Sequence, residues 1–165
     1  MVVLKSLLFT ILVPGTVAVV IPYLLLPPGS VVIPTEVGGS RILGVLSIVL
    51  GALIYAWCVR DFALTGGGTP VPIDPPKALV SSGPYRFVRN PMYVGVILVL
   101  FGEALLFKST ALLVYAGSVL FGFHLMVVLY EEPTLREKFG ESCGRYRRAV
   151  PRWIPRIKGR PGPET

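Results

Sequence analysis

Four stretches of the chain, residues 6–26, 42–59, 92–107 and 110–130, are almost free of charge and rich in Leu, Val and Gly. A helix needs about 20 residues to cross the hydrocarbon core of a bilayer, and these runs are of that order. Proline and charge collect between them. Only 15% of the 165 residues are charged and the mean hydropathy is +0.69, far too apolar for a soluble domain of this size. The pattern predicts an all-α integral membrane protein, a single domain with about four transmembrane helices and a C-terminal amphipathic helix. Residues 1–60 form an N-terminal helix pair, 61–90 a cytoplasmic loop, and 91–158 a helical hairpin with its tail.

The net charge of +7 raises the question of nucleic acid, and its distribution answers it. Of the 16 Lys and Arg residues, only Arg41 and Lys108 lie on the side reached after the first and third runs. The others flank the opposite side, which the positive-inside rule makes cytoplasmic, so both termini are expected there. The inner or plasma membrane of a prokaryote is the expected setting. A basic tail facing anionic headgroups gains about 1 kcal/mol per well-placed charge. No nucleic-acid motif accompanies the charge, and no protein partner is implied. The first run follows Lys5 but contains Pro14 and Pro22 and precedes no small-residue cleavage site, so an uncleaved anchor helix is expected. Two cysteines, Cys58 in a run and Cys143 in the tail, make neither a disulfide framework nor a metal site.

Along the chain, Gly44 and Gly51 stand seven apart on one face, as close helix packing requires. Gly66-Gly67-Gly68 lacks the Lys-Ser/Thr sequel of a phosphate loop and reads as a hinge. The polar chemistry concentrates in residues 77–93, KALVSSGPYRFVRNPMY. Asn90 is placed to cap the third helix and Pro91 to open it. Its N-terminus offers free N–H groups to an anion. Lys108-Ser109 is a connector so short that the third and fourth helices must form an antiparallel hairpin, which brings Glu131-Glu132 level with Tyr93. His124, seven residues before Glu131, is expected on the same face, as a packing or a pocket-lining residue. Glu103 reads as a polar packing contact or a protonated acid. Beyond Pro133, Leu135, Phe139, Cys143, Tyr146 and Val150 form one apolar stripe of an amphipathic helix, followed by Trp153 as an interfacial residue.

Val80-x-x-Gly83-x-Tyr85, Arg89-Asn90-Pro91-x-Tyr93, Glu131-Glu132 and Phe139-Gly140 together resemble the isoprenylcysteine carboxyl methyltransferases and their prokaryotic relatives. Asn90-Pro91-Met92-Tyr93-x-Gly95 with Glu131-Glu132-Pro133 looks still more like the phosphatidylethanolamine N-methyltransferases of the same superfamily. The resemblance implies a membrane methyltransferase using S-adenosylmethionine at the cytoplasmic end of the last two runs. It implies cofactor binding by Lys77, Leu79, Val80, Tyr85, Asn90, Pro91, Met92, Tyr93, Glu131 and Glu132. Three departures are visible. The carboxyl methyltransferases usually have His where Asn90 stands. They place an arginine that meets the substrate carboxylate where this chain has Val127, which argues against a prenylcysteine carboxylate. Cys143 replaces a family aromatic.

Methyl transfer from a sulfonium is a direct displacement, so the protein mainly aligns donor and acceptor, which supplies about 7 kcal/mol or more in well-oriented cases. Glu131 suits the cofactor's ribose hydroxyls or ammonium. Arg89 suits the cofactor's carboxylate or a lipid phosphate, and the tyrosines suit a sulfonium over an aromatic face. His124 is the side chain whose ordinary pKa lies near neutrality, so it is the candidate proton acceptor. The catalytic set expected is therefore Arg89, His124 and Glu131. The acceptor is expected to be lipophilic, a phospholipid amine or an isoprenoid-like thiol or carboxylate, reaching the site among membrane lipids. Two alternatives stand: an NADPH-dependent sterol-type reductase, with a similar Arg/Pro/Tyr end but generally more spans, and a non-catalytic membrane adaptor.

Overall fold

A computed structural model describes residues 12–27, 38–65 and 82–155, with side chains omitted for 62–65. Among the described residues every regular element is helical. Helix α1 is Leu12–Leu25, α2 is Gly39–Thr65, α3 is Pro91–Leu106, α4 is Thr110–Met126 and α5 is Glu132–Ala149. A 3₁₀ turn at Gly83–Arg86 precedes α3. Lys77, Leu79, Val80 and the triple glycine lie outside the described residues. The second helix is longer than its apolar run, continuing past Arg60-Asp61 to Thr65.

Among the described residues, two helices are long and apolar enough to cross a membrane: Gly39–Asp61 and the continuous helical stretch Thr110–Ala149. The latter has 40 residues. At 1.5 Å per residue that is about 60 Å, roughly twice the hydrocarbon thickness, so only its apolar first half to Tyr130 fits inside. The outer face of α2 is apolar and uncovered, with Leu43, Leu46, Leu50 and Leu53 each more than half exposed. Such a surface belongs against lipid. Leu12–Leu25 and Pro91–Leu106 are apolar but shorter.

Backbone contact holds α2 to α3. A Cβ on Gly51 would sit 2.5 Å from the carbonyl oxygen of Gly95, and one on Gly102 would sit 2.6 Å from that of Gly44. Gly44 thus faces Gly102 and Gly51 faces Gly95, two heptad-spaced pairs crossing antiparallel. The missing side chains let the helices touch. Ser47 adds a hydroxyl bond to the Leu98 carbonyl at 2.7 Å. Inside the bundle Val96, Leu100 and Ala116 form a small core, joined by Val17, Tyr55 and Phe123.

The α3–α4 connector is as tight as its length demands. Lys108 takes the left-handed conformation (φ 48°) and Ser109 N–H returns to the Ala104 carbonyl at 3.0 Å, which is a Schellman closure of α3. The Ser109 hydroxyl then accepts from Leu112 N–H at 3.3 Å and so caps α4.

Two π-turns, Thr16–Val20 and Val127–Glu131, each end two residues before a proline, Pro22 and Pro133. A proline ring clashes with the carbonyl four residues back, and the wider turn relieves that clash. In the first, Ile21 N–H reaches back to the Thr16 carbonyl and Pro22 has no N–H to offer, which frees the Val17 carbonyl. The Tyr115 hydroxyl of α4 donates to it at 2.9 Å, tying α1 to the bundle.

Beyond the second π-turn, α5 is not one straight helix. Gly140 takes φ 51°, ψ −124°, a conformation favoured only by glycine, and kinks the helix. The expected continuous stripe is therefore divided: Leu135 and Phe139 are half-buried, while Cys143, Tyr146 and Val150 beyond the kink are buried.

Candidate functional site

Three segments meet at the end of the bundle where α3 begins. The first is the turn leading into α3. Its shape depends on Gly83, whose φ is +51° and whose Cβ position is taken by the Asp61 carboxylate. A side chain there would strain the backbone and displace that carboxylate. Ser82 donates its hydroxyl to the same carboxylate at 3.2 Å, so the end of α2 sets where the turn starts. Tyr85 follows, its backbone carbonyl accepting from the Tyr146 hydroxyl at 2.7 Å, while burial pushes its phenol pKa upward. Tyr85 is placed here as a support and does not line the cleft.

The second segment is the π-turn with the start of α5, and it separates the two adjacent glutamates. Glu131 accepts a hydrogen bond from the Tyr93 hydroxyl, and Tyr93 stacks on Phe123 with ring centroids 4.4 Å apart. Burial raises the Glu131 pKa, more than the Tyr93 bond lowers it. Glu132 is buried and meets three arginines: Arg89 at 2.8 Å, Arg147 at 2.7 Å and Arg152 at 2.7 Å. Burial disfavours its charged form, but the hydrogen bond from Arg152 and the charges of Arg89, Arg152 and Arg147 win and leave its pKa lowered. Glu132 is thus a three-way ionic tie, its oxygens already engaged.

The third segment is the chain after α5. Pro151 accepts from Arg89 N–H at 2.9 Å, the Arg152 carbonyl accepts from the Asn90 side-chain amide at 3.2 Å, and Trp153 Nε1 donates to His124 Nδ1 at 3.3 Å. These contacts bear on three expectations. Asn90 occupies the cap position of α3 but makes no side-chain cap bond; its amide reaches the tail instead. Trp153 binds His124 besides any interfacial role. His124 and Glu131 do not act from one face, because the intervening π-turn shifts the helical phase, and His124 lies outside the cleft lining.

Between the first two segments lies a cleft of about 370 Å³, its open mouth included. Arg89, Asn90, Glu131, Glu132, Tyr146 and Arg147 form its polar wall, and Val127, Leu135 and Cys143 its apolar one. Arg89 Nε is buried there without a hydrogen-bond partner, an N–H turned from water that an anionic ligand would satisfy. Among the expected site residues the structure therefore gathers Arg89, Asn90, Glu131 and Glu132 at the cleft. Pro91 is buried in the first turn of α3, and Met92 and Tyr93 follow it half-buried. Sequence reasoning missed Arg147 and Arg152 as partners of Glu132. Arg147 stands four residues after Cys143, at the edge of the apolar stripe, and that spacing was the available signal. Arg152, between two prolines, carried none.

The fold and site define an all-helical membrane protein with a polar, arginine-bearing cleft at the ends of its apolar helices. The family model described as phospholipid methyltransferase matches residues 40–142, more than half of the chain, from α2 into the first part of α5. The chain belongs to that family. It is also 35% identical over 79 residues to the protein-S-isoprenylcysteine O-methyltransferase of Schizosaccharomyces pombe. That match covers 48% of this chain and 34% of the relative, so this chain corresponds to about a third of that protein's length. No solved structure matches.

Proposed function

We propose that this protein is a membrane methyltransferase that moves a methyl group from S-adenosylmethionine to a lipophilic acceptor at the cytoplasmic face. The observation that carries the reading is the cleft itself, with Glu131, Asn90 and the unpartnered Arg89 Nε at the start of α3, in a chain of this family. The donor set fits the cofactor: a carboxylate for ribose hydroxyls or an ammonium, and a guanidinium N–H for a carboxylate. When bound, S-adenosylmethionine supplies an electrophilic methyl group on a sulfonium.

The chain's own residues bind and orient. Glu131, held by Tyr93, presents one carboxylate edge to the cleft. Arg89 presents a donor and Asn90 its amide oxygen beside the free N–H groups of the first turn of α3. Lys77, Leu79 and Val80 complete the cofactor site from the preceding segment in this proposal. Val127 and Leu135 face the acceptor with apolar surface. Four helices span the bilayer, with both termini cytoplasmic and α5 lying at the membrane surface. Val127 offers no charge to a carboxylate, so a phospholipid amine or a thiol suits the cleft better than a carboxylate acceptor.

Incubating the purified protein with methyl-labelled S-adenosylmethionine and total membrane lipid tests this directly. Label is expected in a lipid fraction, and the fraction identifies the acceptor. Label in no lipid fraction, with no calorimetric binding of S-adenosylmethionine, sinks the proposal.

A further inference from the structure

We infer that residues 150–153 are a strap that shapes the site from outside it, and that Arg152 is a positioning residue which sets Arg89 and Asn90. The inference rests on the cofactor reading above for its functional consequence, and on geometry alone for the strap.

Three consecutive residues each grip a different part of the site. Pro151 takes the Arg89 N–H through its carbonyl at 2.9 Å. Arg152 takes the Asn90 amide through its carbonyl at 3.2 Å. Its guanidinium closes on both oxygens of Glu132, Nε to Oε1 at 2.7 Å and Nη2 to Oε2 at 3.0 Å. Trp153 anchors the far side on His124 at 3.3 Å. None of these groups lines the cleft, yet both cleft residues at the start of α3 owe their placement to them. The Arg89 N–H lies just outside helix α3 and has no helical acceptor, so the strap carbonyl holds the peptide that aims its side chain. An asparagine amide has two faces with opposite hydrogen-bonding character. Tying its nitrogen to the strap decides which way its oxygen turns.

The two-pronged Arg152–Glu132 contact is what fixes the strap against α5. A planar guanidinium makes two parallel bonds to a carboxylate, and a lysine ammonium cannot reproduce that geometry. A glutamine keeps a donor but loses the charge.

The test uses the full-length protein in lipid nanodiscs, with Arg152→Gln and Arg152→Lys beside wild type. Hydrogen exchange of the Arg89 backbone N–H in the free protein is expected to rise about tenfold in Arg152→Gln, as for loss of a charged hydrogen bond, and less in Arg152→Lys. The dissociation constant for S-adenosylmethionine is expected to rise about tenfold in the glutamine variant, with partial rescue by lysine and a smaller change in kcat at saturation. Unchanged Arg89 exchange in Arg152→Gln overturns the strap. A lowered Tm with wild-type cofactor affinity overturns the positioning role and leaves Arg152 a stabilising residue. Wild-type protein that does not bind S-adenosylmethionine sinks the cofactor reading alone, since the exchange comparison still decides the strap.

Discussion

The α2–α3 seam and the Glu132 tie each hold two parts of the chain together, by opposite means. At the seam side chains are absent: Gly44, Gly51, Gly95 and Gly102 let backbones touch, and the gain is dispersion between close-packed atoms. At the tie side chains do everything: one buried carboxylate holds arginines from the α3 lead-in, α5 and the tail. The four glycines of the seam carry no charge, and the tie is made of charges. The seam therefore suits a fixed platform inside lipid, while the tie suits the water-facing end, where a ligand must arrive and leave.

The largest expected effect tests the seam. Gly51→Leu places a side chain where even a Cβ meets the Gly95 carbonyl at 2.5 Å. It should cost about 3 kcal/mol or more, as overpacking does, seen as a large fall in Tm or failure to recover folded protein. A Tm within error of wild type would mean that the helices do not touch there. Next comes the tie. Glu132→Gln leaves Arg89, Arg147 and Arg152 without their shared carboxylate and should cost about 2–4 kcal/mol, at or below the range for breaking a buried ion pair because two of the arginines are partly exposed. Denaturation in detergent reads this.

The same tie gives the pH dependence. The arginines hold the Glu132 pKa below that of an unfolded glutamate. Its stabilisation is thus fully present above the unfolded value, about 4.3, and is lost as pH falls through the lower folded value. Below about pH 4 the wild type should approach the stability of Glu132→Gln. A stability difference unchanged down to pH 3 would contradict the ionic account. Tyr93→Phe keeps the stack on Phe123 and removes only the donor to Glu131. It should cost about 1–2 kcal/mol of stability and weaken cofactor binding by less than Glu131→Ala does. The smallest effect returns to glycine. Gly117 and Gly122 on α4 have open space around them, so Ala at either should be neutral or stabilise by up to about 1 kcal/mol. A loss there equal to that at Gly51 would erase the distinction between seam and surface glycines.

Much of the scaffold was legible because its causes are local. Apolar runs of bilayer length predict helices wherever they occur. The two-residue connector at Lys108-Ser109 forces a hairpin, and Gly44 and Gly51 announced the packing face, though not that Gly95 and Gly102 answer it. Pro22 and Pro133 each bring a π-turn two residues upstream, a regularity visible only once the structure is known. The hairpin also made the meeting of Tyr93 with Glu131 foreseeable, since both must return to the same end.

The amino-acid order alone determined that this is a helical membrane chain with its polar chemistry at one end of the bundle. The tertiary structure decided how that chemistry is shared: Glu131 faces Tyr93, Glu132 binds three arginines, and His124 is turned to Trp153. The reason is reach. Periodicity informs on neighbours three or four residues apart, whereas the Asn90–Arg152 contact spans 62 residues and joins segments with no common repeat. Neighbouring residues on a helix also point about 100° apart, so the two adjacent carboxylates find separate partners.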